Sequence, residues 1–68
     1  MKKSIDMIAR SEGENFILTP VSKSAREWLS LKFTGTSEIL VDFIEVDSAT
    51  LGKVVRFCDG AGYRVTMF

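Results

Sequence analysis

Two periods of apolar and polar positions run along the chain, and together they predict strands and helices. Residues 4–10 and 15–19 alternate with a period of two and flank a glycine-containing polar turn at 11–14, which is typical of a β-hairpin. Residues 39–46 and 63–68 are dense in β-branched and aromatic side chains, which favours two further strands. The chain therefore starts with a predicted hairpin and carries two later strands.

The first helical pattern follows the hairpin. We expect this helix to span about 20–32. The Thr19 side chain would accept a hydrogen bond from an amide of the first turn, and Pro20 would take the first helical position, where no amide hydrogen is needed. The apolar positions recur at the i, i+4, i+7 and i+8 spacing of one helix face and are Val21, Ala25, Trp28 and Leu29. The polar segment at 33–38 then predicts a loop.

The second helical pattern precedes the last strand. Asp47 or Ser48 is the predicted N-cap, and Gly60 or Gly62 is the predicted stop, because glycine adopts the left-handed conformation that ends many helices. The apolar positions recur at i, i+3, i+4 and i+7 and are Leu51, Val54, Val55 and Cys58. Gly52 inside this helix costs about 1 kcal/mol relative to alanine, so we expect close packing against a neighbour there.

The order hairpin, helix, strand, helix, strand predicts the α+β class, with a single two-layer domain spanning residues 1–68. We expect a mixed sheet of three to four strands with both helices on one face, and parallel crossovers wherever a helix joins neighbouring strands. Segment 39–46 carries apolar side chains on both faces, which predicts a central strand covered on both sides or covered by a partner. Fraying is expected at the terminal residues 1–10.

Charge and residue usage exclude several classes of site. The chain has nine basic and nine acidic residues, a formal net charge of zero, no histidine and one cysteine. A Ser-His-Asp or Cys-His catalytic site cannot be built from these residues, and a disulfide within the chain is impossible. A structural zinc site lacks its usual ligands. The balanced charge also lowers the expectation of nucleic-acid binding, for which a basic excess is typical.

The remaining motifs point to no cofactor. The glycines at 60–62 follow a helix, whereas phosphate-binding loops precede one, so they are interpreted as a helix stop. Asp42, Glu45 and Asp47 are candidate magnesium ligands near a strand end, but the capping role of Asp47 favours a helix cap among solvated charges. Asp42 is expected to mark a sheet edge or to pair with a basic side chain. Cys58 is predicted to be a buried, inert thiol.

The apolar stretches are too short for targeting or membrane segments. Residues 4–9 are too few and too interrupted for the apolar region of a signal peptide. No run approaches the roughly 20 apolar residues that a membrane-spanning helix requires. With one unpaired cysteine, a cytoplasmic location is the expectation.

Apolar residues outside the helical stripes are the candidate contact residues. Phe57 and Leu31 fall off the stripes of their helices, whereas Trp28 lies on a stripe and is interpreted as a core anchor. The predicted contacts for a protein partner or a second copy of the chain are Phe57, Tyr63 and Phe68. A patch that contacts nucleic-acid phosphates is the alternative, and its residues would be Lys2, Lys3, Lys23, Arg26 and Lys32.

One block of the chain resembles a known group of proteins. The sequence Pro20-x4-Ala25-x2-Trp28-Leu29 after a strand, with a later helix ending in glycine, is similar to a segment of short bacterial conserved hypothetical proteins from chromosomes and mobile elements. The resemblance covers residues 16–33 and 44–65. Its motif consists mainly of core and capping residues, so it implies a fold and carries no activity.

These observations favour a small non-enzymatic protein-interaction or regulatory module that self-associates. A nucleic-acid-associated regulator from a mobile element, using the basic helix face, is the second hypothesis. A small carboxylate- and metal-dependent enzyme using Asp42, Glu45 and Asp47 is the third.

Overall fold

A computed structural model describes residues 5–67 of the protein. Two helices and four strands follow one another in the predicted order, and the α+β class is confirmed. They are β1 (Met7–Glu12), β2 (Asn15–Pro20), α1 (Lys23–Thr34), β3 (Ile44–Val46), α2 (Ser48–Ala61) and β4 (Val65–Met67).

The sheet is mixed and has the strand order β3-β2-β1-β4. β1 and β2 form the predicted antiparallel hairpin, in which Glu12 pairs with Asn15 across a two-residue turn. Gly13 opens that turn with a φ of 61°, a value that glycine adopts without steric cost. β2 pairs with β3 antiparallel, and β1 pairs with β4 parallel.

The helices cover one face of this sheet, as predicted. Alternation along the strands turns Met7, Ala9 and Leu18 toward the helices, and these three side chains are fully buried. The remaining buried apolar residues come from both helices and from β3, and are Ala25, Leu29, Val46, Leu51, Val54 and Cys58. Burial of this one set of side chains supplies the main stabilisation of the fold.

The first helix begins later than its sequence predicts. Ser22, not Thr19, is the N-cap, and its Oγ accepts a hydrogen bond from the Ala25 amide at 3.2 Å. Pro20 ends β2 and is buried opposite Met7, while Val21 is 51% exposed and lies outside the apolar stripe. Strand pairing with β1 therefore extends the hairpin through Pro20, which the sequence predicts as the first helical residue.

The segment predicted as a long central strand forms only a three-residue edge strand. β3 pairs with β2 on one side, and Ile39, Leu40 and Phe43 lie outside it with exposed side chains. The prediction of a central strand at 39–46 is therefore wrong. Apolar density alone favours a strand there, but Val41 and Asp42 contact α1 instead.

Ser30 holds this segment against α1. Its buried Oγ accepts a hydrogen bond from the Val41 amide at 2.9 Å and donates one to the Arg26 carbonyl at 2.8 Å. Arg26 Nη1 lies 3.5 Å from Asp42 Oδ1, which confirms the predicted pairing of Asp42 with a basic side chain. Residues 41 and 42 thus follow α1 back toward its start, and β3 enters the sheet antiparallel to β2, not as a parallel crossover.

Capping residues stabilise the start of α2 and the C-terminal ends of both helices. Asp47 is the N-cap of α2, where its Oδ1 accepts a hydrogen bond from the Thr50 amide at 2.7 Å. Gly35 and Gly62 cap the C-terminal ends of α1 and α2 with φ values of 82° and 83°. The close packing expected at Gly52 is wrong: within residues 5–67, no atom of a neighbouring element lies within 4 Å of where its Cβ would be.

Candidate functional site

Three aromatic side chains, from α1, α2 and the segment after α2, meet beside the core. The Trp28 ring of α1 contacts both Phe57 of α2 and Tyr63, which follows α2. Its centroid is 6.4 Å from that of Phe57 with an interplanar angle of 48°, and 6.2 Å from that of Tyr63 with an angle of 62°. Tilted and edge-to-face arrangements of this kind are the favoured geometries of aromatic pairs. The three rings therefore form one contiguous cluster.

Leu31, which is aliphatic, and Phe33, which is aromatic, extend this cluster. One shallow cleft is lined by Trp28, Leu31 and Tyr63, and another by Trp28, Phe33 and Phe57. Leu31 is 54% exposed and Phe57 is 58% exposed. We call this region the aromatic surface, and its residues are Trp28, Leu31, Phe33, Phe57 and Tyr63.

The aromatic surface has a cationic border on one side. Lys32 Nζ lies 4.7 Å from the centroid of the Phe57 ring, which is the geometry of a cation–π contact. Lys53 lines the same cleft, whereas Glu27 lines the cleft on the Leu31 side. Charges of both signs thus surround an apolar centre, an arrangement common in protein–protein interfaces.

The structure brings together two of the three predicted contact residues. Phe57 and Tyr63 both pack against Trp28, while Phe68 lies outside the described residues. Trp28 is half-buried and packs against the core, so it joins the core to the aromatic surface. Its contacts with Phe57 and Tyr63, both far away in the sequence, could not be predicted from local periodicity. The sequence also does not predict Phe33 as a contact residue, because 33–38 is predicted as a loop. In the structure α1 continues to Thr34, and Phe33 lines the cleft beside Phe57.

The residues of the predicted nucleic-acid patch have separate neighbours. Arg26 contacts Asp42 and the Pro20 carbonyl, which its Nη2 reaches at 3.4 Å. Lys32 lies over Phe57 on the side of α1 that faces α2, and Lys23 is exposed. Residues 2 and 3, which hold the other two lysines, lie outside the described part of the chain.

The candidate metal ligands are each engaged elsewhere. Asp42 pairs with Arg26, and Glu45 Oε2 accepts a hydrogen bond from Asn15 Nδ2 at 2.9 Å. Asp47 caps α2, and hydrogen bonds from Thr50 lower the pKa of its carboxyl group. Among residues 5–67, no three histidine, cysteine, aspartate or glutamate side chains form a group that could hold a metal ion.

The single thiol is buried, as its place in the α2 stripe predicts. Burial raises the pKa of Cys58, and the nearby Asp6 carboxylate raises it further. Both effects keep the thiol protonated at neutral pH, and a protonated thiol is a poor nucleophile. The position of Cys58 is therefore that of a small core residue.

A further cleft lies on the sheet face that the helices leave open. Ile8, Ile17, Thr19 and Phe43 line a cleft of about 600 Å³ there. Arg10 Nη2 and Glu12 Oε2, 3.6 Å apart, border it as an exposed ion pair. The lining offers mostly apolar contact and no converging set of catalytic groups.

No family model, curated protein or solved structure matches this chain. The resemblance to short bacterial proteins therefore stays a prediction. Within residues 5–67, neither helix has both the length and the apolar character needed to cross a bilayer.

Proposed function

We propose that the protein is a small non-enzymatic interaction or regulatory module that self-associates and contacts partner proteins through exposed apolar side chains. Phe57 and Tyr63 of the aromatic surface are the proposed partner contacts. The proposed location is the cytoplasm, where an unpaired cysteine such as Cys58 is stable in the reduced form.

The exposed aromatic surface is the observation that carries the proposed role in protein interaction. Large apolar side chains gathered on one surface mark interaction sites more often than scattered ones do. Leu31 and Phe57 are each more than half exposed beside the partly buried rings of Trp28 and Tyr63. Aromatic residues are also enriched among the residues that contribute most to binding.

The small size of the chain supports self-association. A domain of 68 residues buries a modest share of its surface, and many such domains gain stability from a partner subunit. A formal net charge of zero gives two copies no overall electrostatic repulsion. The small size therefore favours self-association, and the zero net charge permits it.

Light scattering on the wild-type protein across the micromolar range tests self-association. We expect a mass that rises from the monomer value of 7.6 kDa toward twice that value as concentration increases. A mass that stays at the monomer value across the whole range would contradict the proposal.

The nucleic-acid hypothesis gains no comparable support. Arg26 pairs with Asp42 and Lys32 lies over the Phe57 ring, so both side chains already have neighbours within the protein. A salt-dependent association with duplex DNA would favour that hypothesis.

A further inference from the structure

The two edges of the sheet differ in charge. Within residues 5–67, neither the outer edge of β3 nor that of β4 pairs with another strand. Both strands have a charged neighbour, since Asp47 follows β3 and Arg64 precedes β4. Within the strands, Glu45 lies at the centre of β3, whereas β4 consists of the uncharged residues Val65, Thr66 and Met67. Charged side chains commonly protect an exposed edge against pairing with other strands. β3 carries such a charge at its centre and β4 does not.

The backbone of β4 shows which of its groups face outward. The Arg64 carbonyl accepts hydrogen bonds from the amides of Asp6 and Met7 at 2.9 and 3.1 Å, and the Arg64 amide donates to Asp6 Oδ2 at 2.9 Å. Arg64 therefore directs both of its backbone groups toward the β1 side. Because this direction alternates along a strand, Val65 and Met67 direct theirs toward the outer edge.

We propose that the outer edge of β4 pairs with β4 of a second copy of the chain, antiparallel about a two-fold axis at Thr66. This inference rests on the proposed function, since self-association is its premise. The backbone amide and carbonyl of Val65 would both form hydrogen bonds with Met67 of the second copy. By the two-fold symmetry, Met67 would form the same pair of hydrogen bonds with Val65 of the second copy. The two sheets would then form one continuous sheet.

The sequence of β4 is its own complement in this register. On the helix-covered face, Val65 lies beside Met67 of the second copy, so two apolar side chains meet. Met67, which is 55% exposed in the isolated chain, gains cover there. On the open face, Thr66 lies opposite its symmetry mate as a non-hydrogen-bonded pair, where side chains are closest and threonine pairs are favourable. A second copy is thus a better match than an arbitrary strand.

The surrounding charges permit this contact. Arg56, Asp59 and Arg64 line the clefts beside Tyr63 and Val65, so both signs are present next to the β4 edge. The same arrangement at β3 would place Glu45 opposite its own symmetry mate, and like charges directly opposite each other are destabilising.

A dimer built on the β4 edge closes with two copies. Both copies contribute the same strand, β4, so the interface is isologous. Once paired, neither copy has a free β4 edge to bind a third copy. Phe57 belongs to α2 and packs against Trp28 of α1, whereas Tyr63 shares a cleft with Val65 beside the β4 edge. The Phe57 side of the aromatic surface would therefore remain available to a different protein in the dimer.

Opposite charges at Thr66 test this interface. T66E alone and T66K alone each place like charges on the two-fold axis, and we expect the dissociation constant of the dimer to rise at least about tenfold. Mixing the two variants should restore a dimer that contains one copy of each, which native mass spectrometry resolves by mass. Thr66 lies on the open sheet face outside the core, and thermal melts followed by circular dichroism would verify that each variant folds.

Two control variants identify competing interfaces. T19E makes the same substitution on the open face of the interior strand β2, and F57S removes a ring from the aromatic surface; both should leave the dimer intact. Loss of the dimer in T19E or F57S, but not in T66E, would overturn the edge interface and leave self-association standing. Failure of the mixture to form a mixed dimer would overturn it as well. A monomeric wild type would overturn this inference together with the proposed function.

Discussion

The two faces of the sheet are built from alternating residues of the same strands, yet they differ in what covers them. Leu18 is fully buried beneath the helices, and its neighbour Ile17 lies on the open face beside a cleft. Met7 and Ile8 differ in the same way. A strand in a two-layer domain therefore carries both kinds of apolar residue. One kind holds the fold together, and the other is surface available for contact.

Substitution on the covered face should have the largest effect. L18A removes a fully buried side chain from the covered face of β2, and we expect the free energy of unfolding to fall by about 2–5 kcal/mol. Urea denaturation followed by circular dichroism measures this loss. The matched variant I17A should lose less than about 1.5 kcal/mol, because its site is already partly open to water. Similar losses for the two variants would remove the distinction between the faces.

The next effect concerns the Ser30 hydroxyl group, which binds the Val41 amide beside α1. S30A leaves the Val41 amide without its side-chain acceptor, and we expect a loss of about 1–3 kcal/mol. S24A, an exposed substitution on the same helix, is the control and should change stability by less than about 0.5 kcal/mol. If S30A behaves like S24A, Ser30 does not position the return of the chain to β3.

A smaller effect distinguishes two candidate caps of α1. S22A should cost about 1 kcal/mol, because the Ala25 amide loses its acceptor at the start of the helix. T19V should cost less, because Thr19 lies on the open sheet face and caps no helix. Thermal melts of both variants measure the difference. A larger loss in T19V would place the start of the helix where the sequence predicts it.

The smallest expected effect is a change of stability with pH at the start of α2. Hydrogen bonds from Thr50 lower the pKa of Asp47 below its ordinary value of 3.8 in the folded protein. The stabilisation is therefore fully present above the unfolded pKa and is lost as the pH falls through the lower folded pKa. The difference in stability between wild type and D47N should shrink over that acidic range. A difference that stays constant there would contradict the capping role of the carboxylate.

Much of the fold could be predicted from local patterns. The hairpin, the apolar stripe of α2 and the cap at Asp47 follow from alternation, periodicity and capping chemistry within a few residues of each other. The start of α1 could not be predicted in this way, because Pro20 suits both a helix start and a strand end. Pairing with Met7 across the hairpin decides between them.

The candidate site depended still more on contacts distant in sequence. Phe57 was predicted as a contact residue because it falls off its helical stripe, and this depends only on local spacing. The convergence of Phe57 and Tyr63 on Trp28 requires the placement of α1 beside α2. The diversion of residues 39–43 likewise depends on Ser30, a polar residue whose burial gives no signal in the hydrophobic pattern.

Sedimentation equilibrium of wild type and T66E, run side by side at matched micromolar concentrations, tests the central claim most directly. The claim is that the covered face holds the fold while exposed strand and ring surfaces carry the function. It predicts that the average mass of wild type rises above 7.6 kDa toward twice that value, and that folded T66E stays closer to 7.6 kDa at the same concentrations. A wild-type protein that remains at 7.6 kDa at every concentration would contradict it.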